Sequence, residues 1–184
     1  MDDHYRILQL NEEYHLDEKQ LKASYLKLSR QHHPDFKQAD PDEQQKDMLL
    51  FSQVNNAYKH LKNPQTRLLH LFHKYDLLEP DGQIADQQKL SQAFLMEMMD
   101  HNLALEEVLM SEDETGAAEF LRTLETLLAE RNQAIDAAMH DFDAADDDDA
   151  KHAALKKALP PFFERRYLLR MQEKLANFAD PDDD

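Results

Sequence analysis

Glu18-Lys19-Gln20-Leu21-Lys22-Ala23-Ser24-Tyr25-Leu26-Lys27-Leu28-Ser29-Arg30-Gln31-His32 runs directly into His33-Pro34-Asp35, and this stretch decides how the N-terminal half folds. Leu21, Tyr25 and Leu28 recur at spacings of three and four, so they share one face of a helix predicted over about 18–32. Lys19, Lys22, Lys27 and Arg30 take up much of the remaining surface. Asp17 stands where an N-cap is needed, with Gln20 in capping-box position. Pro34 ends the helix, because the residue before a proline is pushed out of the α region. The polar stretch to Pro41 reads as a loop, and a second helix starts near Asp42. Its Phe51, Val54, Ala57, Tyr58 and Leu61 again recur at three and four, so the two helices can lie antiparallel as a hairpin with a presented tip.

Working outward, Tyr5 to Leu10 form a short apolar segment before the hairpin. Asn63-Pro64 after it supplies a cap and a proline at the first helical position, starting a short helix through Arg67, Leu68, Leu71 and Phe72. Tyr5, Leu8, Leu21, Tyr25, Leu28, Val54, Ala57, Tyr58 and Leu61 are assigned to the core. His70 and His73 read as exposed surface histidines, because two imidazoles make a poor metal site and no cysteine is available to complete one. Glu79-Pro80-Asp81-Gly82 marks a boundary. The expected organisation is a first domain over 1–76, a linker over 77–86, an acidic three-helix domain over 87–178 and a disordered acidic tail over 179–184. The three helices are predicted at about 87–110, at 114–142 after a Ser111-x-x-Glu114 capping signal, and at about 147–178. The last should be broken or kinked at Pro160-Pro161.

Composition agrees with an all-α chain: only two glycines occur in 184 residues, and Leu, Ala, Gln, Glu, Lys and Met are plentiful. With no cysteine there are no disulfides, thiolate metal sites or cysteine nucleophiles, and no cofactor is expected. The run Asp146 to Asp149 suits the positive end of a helix and lacks the alternating ligands and glycine turn of a calcium loop. The acidic opening Met1-Asp2-Asp3 and the lack of a long apolar run lead us to expect a soluble, unprocessed, cytoplasmic protein. Net charge is −17, and residues 77–184 carry 26 acidic against 10 basic side chains. Such a surface repels phosphates and anionic lipid, so the expected partner is a protein, not nucleic acid or membrane.

A short segment, a basic helix, a His-Pro-Asp loop, an antiparallel helix and a short closing helix together resemble the J-domain over roughly residues 3–75. Tyr5-Arg6-Ile7-Leu8 is similar to the family's opening Tyr-x-x-Leu, and Asn56 to Arg67 to its Ala-Tyr-x-x-Leu and Pro-x-x-Arg signature. The family's glycine after the opening motif is Gln9 here, suggesting a relaxed turn requirement, and its lysine after the aspartate is displaced by Phe36 to Lys37. The resemblance implies a partner, a DnaK/HscA-type chaperone ATPase. Lys19, Lys22, Lys27, Arg30 and Lys37 would dock on it, and His33, Pro34 and Asp35 would promote ATP hydrolysis there. No catalytic residue is expected in this chain.

The acidic second domain with Ala93-Phe94-Leu95-Met96-Glu97 near its start resembles the HscB family, co-chaperones dedicated to iron–sulfur cluster biogenesis. At 100° per residue, Leu90, Phe94, Met98, Leu105 and Val108 share a face suited to a bundle core, whereas Leu95, Met96, Met99 and Leu103 form a second apolar stripe. Exposed contiguous apolar surface marks binding sites. The resemblance implies that Leu95, Met96 and Met99, with Tyr167 as the aromatic and Phe163 as its rival, hold an IscU-type cluster scaffold. The alternatives are that the J-domain or the last helix covers the stripe, that the client is another protein, or that His33 and Asp35 are an acid–base pair of an enzyme. The last lacks a nucleophile, a phosphate cradle and a third metal ligand. A monomer is expected, with a dimer through the second stripe as the alternative.

Overall fold

The computed structural model describes residues 3–33, 41–78, 90–111 and 113–179. Among them are seven helices and no strand: α1 (His4–Ile7), α2 (Glu18–Gln31), α3 (Pro41–Lys62), α4 (Pro64–Lys74), α5 (Gln92–Ser111), α6 (Glu114–Asp143) and α7 (Asp148–Ala179). The chain divides into two compact units, one of Met1–Asp86 with His140–His152, the other of Gln87–Met139 with Ala153–Asp184.

In the first unit α2 and α3 pack antiparallel. Tyr25 stacks on Tyr58 at 4.1 Å between ring centroids and its hydroxyl donates to Asn55 at 3.0 Å, while His32 meets Asp47 at 2.7 Å near the other end. Asp17 caps α2 by accepting from the Lys19 amide at 2.8 Å. Asn63 does the same for α4 at Gln65, with Pro64 in the first turn. Leu8, Leu21, Ala57, Leu61, Leu71 and Phe72 are sealed from solvent. Tyr25 and Tyr58, expected in this core, are only half buried because their stacked rings reach its edge.

The turn after α1 corrects the reading of Gln9. Its φ is 53°, in the left-handed region. The amide of Gln9 donates to Arg6 O at 3.2 Å and that of Leu10 to Tyr5 O at 3.0 Å, the paired bonds of a Schellman cap. The left-handed requirement is therefore intact, and glutamine bears its steric cost of roughly 1 kcal/mol. Asp76 ends α4 the same way at φ 55°, with the buried Leu77 donating to Phe72 O at 2.8 Å.

The corner between α6 and α7 belongs to this unit through polar contacts far apart in sequence. Asp143 accepts from the amides of Tyr14 at 2.5 Å and His15 at 3.0 Å and pairs with His15 Nδ1 at 2.6 Å. Glu12 pairs with Lys74, accepts from the Tyr75 hydroxyl at 2.6 Å and lies 3.5 Å from Lys151. Burial alone would raise the Glu12 carboxyl, but the bonds from Lys74 and Tyr75 outweigh it and hold it below the usual range. Phe142 is fully buried, with the Tyr75 ring edge-on at 6.0 Å.

His70 is buried rather than exposed, stacked on the buried His4 at 4.2 Å. Burial, with the neighbouring His4, pushes its pKa down to about 4. The unfolded chain would bind a proton near pH 6.5, where the folded chain refuses it, so stability is greatest above pH 6.5 and falls with acidification toward pH 4. By pH 5 the loss should reach about 2 kcal/mol. Urea unfolding at pH 7.5 and pH 5 tests this: the difference should shrink in His70→Gln, and an unchanged difference would rule out His70 as its source.

In the second unit Phe94, Met98 and Leu105 of α5 meet Phe120, Leu124 and Leu128 of α6 and Leu168, Met171 and Leu175 of α7 in one core. Leu90 and Val108, expected on that face, pack partly buried against it. Asp113, not Ser111, caps α6: its carboxylate accepts from the Thr115 amide at 3.0 Å, and Ser111 is the last residue of α5. Arg131 joins the helices, pairing with Glu164 at 3.0 Å and Glu97 at 3.8 Å.

Pro160 and Pro161 do not break α7, which is one helix through both. An interior proline costs about 3 kcal/mol or more. Leu155, Ala158, Leu159 and Phe162 are buried on both sides of the pair, and each large apolar side chain buried returns roughly 1.5–3 kcal/mol. Packing overrides the local preference.

Candidate functional site

The first candidate site is the tip of the α2–α3 hairpin. His32 is tied to Asp47, and His33 sits edge-on to the Phe51 ring at 5.2 Å, so two contacts with α3 fix where the loop leaves α2. Pro34, Asp35 and Lys37 lie outside the described residues. Lys19, Lys22, Lys27 and Arg30 are all exposed, and none of the four makes an ion pair among the described residues. Sequence reasoning missed Leu26, which is 40 % exposed and lies at helical spacing between Lys22 and Arg30. Its signal was present: Leu26 falls outside the Leu21-Tyr25-Leu28 stripe.

The second candidate site is the outer face of α5. Met96 and Met99 are 70 % and 64 % exposed, and Leu95 and Leu103 about half exposed, while Phe94, Met98 and Leu105 on the other face are buried. The two apolar faces predicted for this helix are thus one covered and one open. Tyr167 is half buried beside it, its ring edge-on to Phe94 at 6.0 Å and its hydroxyl accepting from Asn102 at 2.6 Å. Phe163 instead lies against Phe162 of its own helix at 5.5 Å. Tyr167 is the aromatic that reaches α5, which the continuity of α7 through its prolines makes possible.

The DnaJ domain family matches residues 3–70. Over 133 residues the chain is 32% identical to the co-chaperone protein HscB of Proteus mirabilis (strain HI4320), covering 70% of this chain and 74% of that protein. This chain belongs to the HscB co-chaperone family. The fold agrees: the crystal structure of human co-chaperone protein HscB superposes with a TM-score of 0.68 at 23% identity, covering 98% of this chain and 84% of that one. Chaperone HscB from Vibrio cholerae gives 0.61 at 16% identity, over 98% and 99% of the two chains.

As an HscB-family protein the chain is a co-chaperone of an Hsp70-type chaperone in iron–sulfur cluster biogenesis, and the reaction it governs is ATP hydrolysis by that partner. The hairpin tip suits that division of labour. Exposed cations such as those of α2 steer association with a surface of opposite charge. Among the described residues no helix is long and apolar enough to cross a membrane.

Proposed function

We propose that this HscB-family protein is a monomeric, cytoplasmic adaptor with two working ends. The domain over 1–76 stimulates a DnaK/HscA-type ATPase through His33, Pro34 and Asp35, with Lys19, Lys22, Lys27, Arg30 and Lys37 as the docking cations. The domain over 87–178 holds an IscU-type scaffold on Leu95, Met96, Met99 and Tyr167. The observation that carries the client end is the open stripe on α5. Two methionines more than 60 % exposed lie on a helix whose opposite face already supplies its bundle core. In a chain of net charge −17 an uncovered apolar stripe is unusual, and flexible, polarizable methionines suit a surface that adapts to a partner.

Pull-down or calorimetric titration with an IscU-type scaffold tests this end. Met96→Ala and Met99→Ala together should weaken binding by about tenfold to a hundredfold, as expected for two central apolar contacts, with stability changed by less than about 0.5 kcal/mol because both side chains are exposed. Unchanged affinity would exclude the stripe as the scaffold site.

A further inference from the structure

Leu95, Met99 and Asn102 follow one another at spacings of four and three along α5, so the open apolar stripe runs into an amide. Asn102 Nδ2 donates to the Met98 carbonyl at 2.8 Å and to the Tyr167 hydroxyl at 2.6 Å. A carbonyl only accepts, so the bond to Met98 sets which way the amide points, and its second N–H makes the tyrosine oxygen an acceptor. Two hydrogen-bonding capacities are left over: Asn102 Oδ1 to accept and the Tyr167 O–H to donate. Neither has a partner among the described residues. Both side chains are half buried. The Tyr167 ring is held edge-on to Phe94, with the Arg170 guanidinium 5.5 Å from its centroid, so its hydroxyl is already positioned.

An acceptor beside a donor complements one residue of an extended chain, whose own N–H and C=O point to the same side. In the interior of a helix both groups are spent on the helix itself, whereas an extended segment or a free strand edge has them available. We infer that Asn102 and Tyr167 read the main-chain N–H and C=O of one residue in an extended segment of the scaffold client, whose apolar side chains rest on Met96 and Met99. This inference rests on the client reading above. Apolar contact is non-directional and would let a partner slide along the stripe. One neutral donor–acceptor pair sets the register without the desolvation cost of a buried charge.

The test is calorimetric titration of the full chain with an IscU-type scaffold, alongside thermal unfolding of each variant. Tyr167→Phe keeps the ring and removes the hydroxyl, both the spare donor and the acceptor of the Asn102 N–H, and should weaken binding about fivefold, the effect of one net hydrogen bond to the client. Asn102→Ala removes the spare acceptor together with the N–H bonds to Met98 and Tyr167, and should weaken binding to a similar extent. The double variant should be little weaker than either single one, because both groups serve the same client residue. Lowered unfolding temperatures with unchanged affinity would make the pair an internal brace and overturn the inference, as would losses that simply add in the double variant. If Met96→Ala with Met99→Ala weakens binding while Tyr167→Phe and Asn102→Ala do not, the inference falls alone. If none of them does, the client reading has failed with it.

Discussion

Replacing His33 by glutamine is expected to abolish stimulation of the partner ATPase, bringing hydrolysis back to the chaperone's basal rate. Binding of the scaffold and the unfolding midpoint should stay as they are. His33 is half exposed at the end of α2, and the first core is built from other residues, so the substitution should cost less than about 0.5 kcal/mol in stability. What changes is the group offered to the partner. An imidazole placed edge-on to Phe51 becomes a flexible amide with different donor and acceptor geometry. Single-turnover ATP hydrolysis by the chaperone, with and without this protein, measures the effect. Stimulation that survives His33→Gln would remove the loop from the mechanism.

The second large effect is expected in the core of the first unit. Arg67 is buried, its Nε donating to Leu61 O at 2.7 Å and its Nη1 to Tyr14 O at 2.5 Å, with the guanidinium 5.8 Å from the centre of the Tyr14 ring. It therefore staples the start of α4 to the end of α3 and to the segment between α1 and α2. Burial lowers its pKa, yet an arginine begins so high that it stays charged. Arg67→Met would leave two carbonyls short of a charged donor in a site closed to water, and should cost about 3–5 kcal/mol. Arg67→Lys should recover only part, since an ammonium cannot span both oxygens as a planar fork does. Urea unfolding is the measurement, and a loss below about 1 kcal/mol would mean that water takes over the guanidinium's role.

The signature arginine was visible in the sequence, but not its work. Pro64-x-x-Arg67 places it in the first turn of α4, while its acceptors, Tyr14 and Leu61, become neighbours only when three segments meet. Gln9 was misread for a related reason. Sequence shows a missing glycine, and the paired amide bonds of the turn show that the backbone still takes the left-handed conformation. At the client end the open stripe was legible, because Leu95, Met96, Met99 and Leu103 follow helical spacing. Asn102 was not, since a lone polar residue on such a face carries no signal until Tyr167 is beside it.

By itself the sequence determined what depends on near neighbours. Helix starts at Glu18 and Pro64 follow from Asp17 and Asn63 within three residues, and the two faces of α5 follow from a repeat of 3.6. Tertiary structure alone decided what depends on separation. It turns the α6–α7 corner toward the segment at Glu12 to His15, where Asp143 meets the Tyr14 amide 129 positions away. It carries α7 unbroken through Pro160 and Pro161, because apolar burial on both sides outweighs a local cost of about 3 kcal/mol or more. That continuity sets the register that brings Tyr167 to Asn102. Periodicity reports which face of a helix is apolar, and only the packed chain determines which neighbour that face meets.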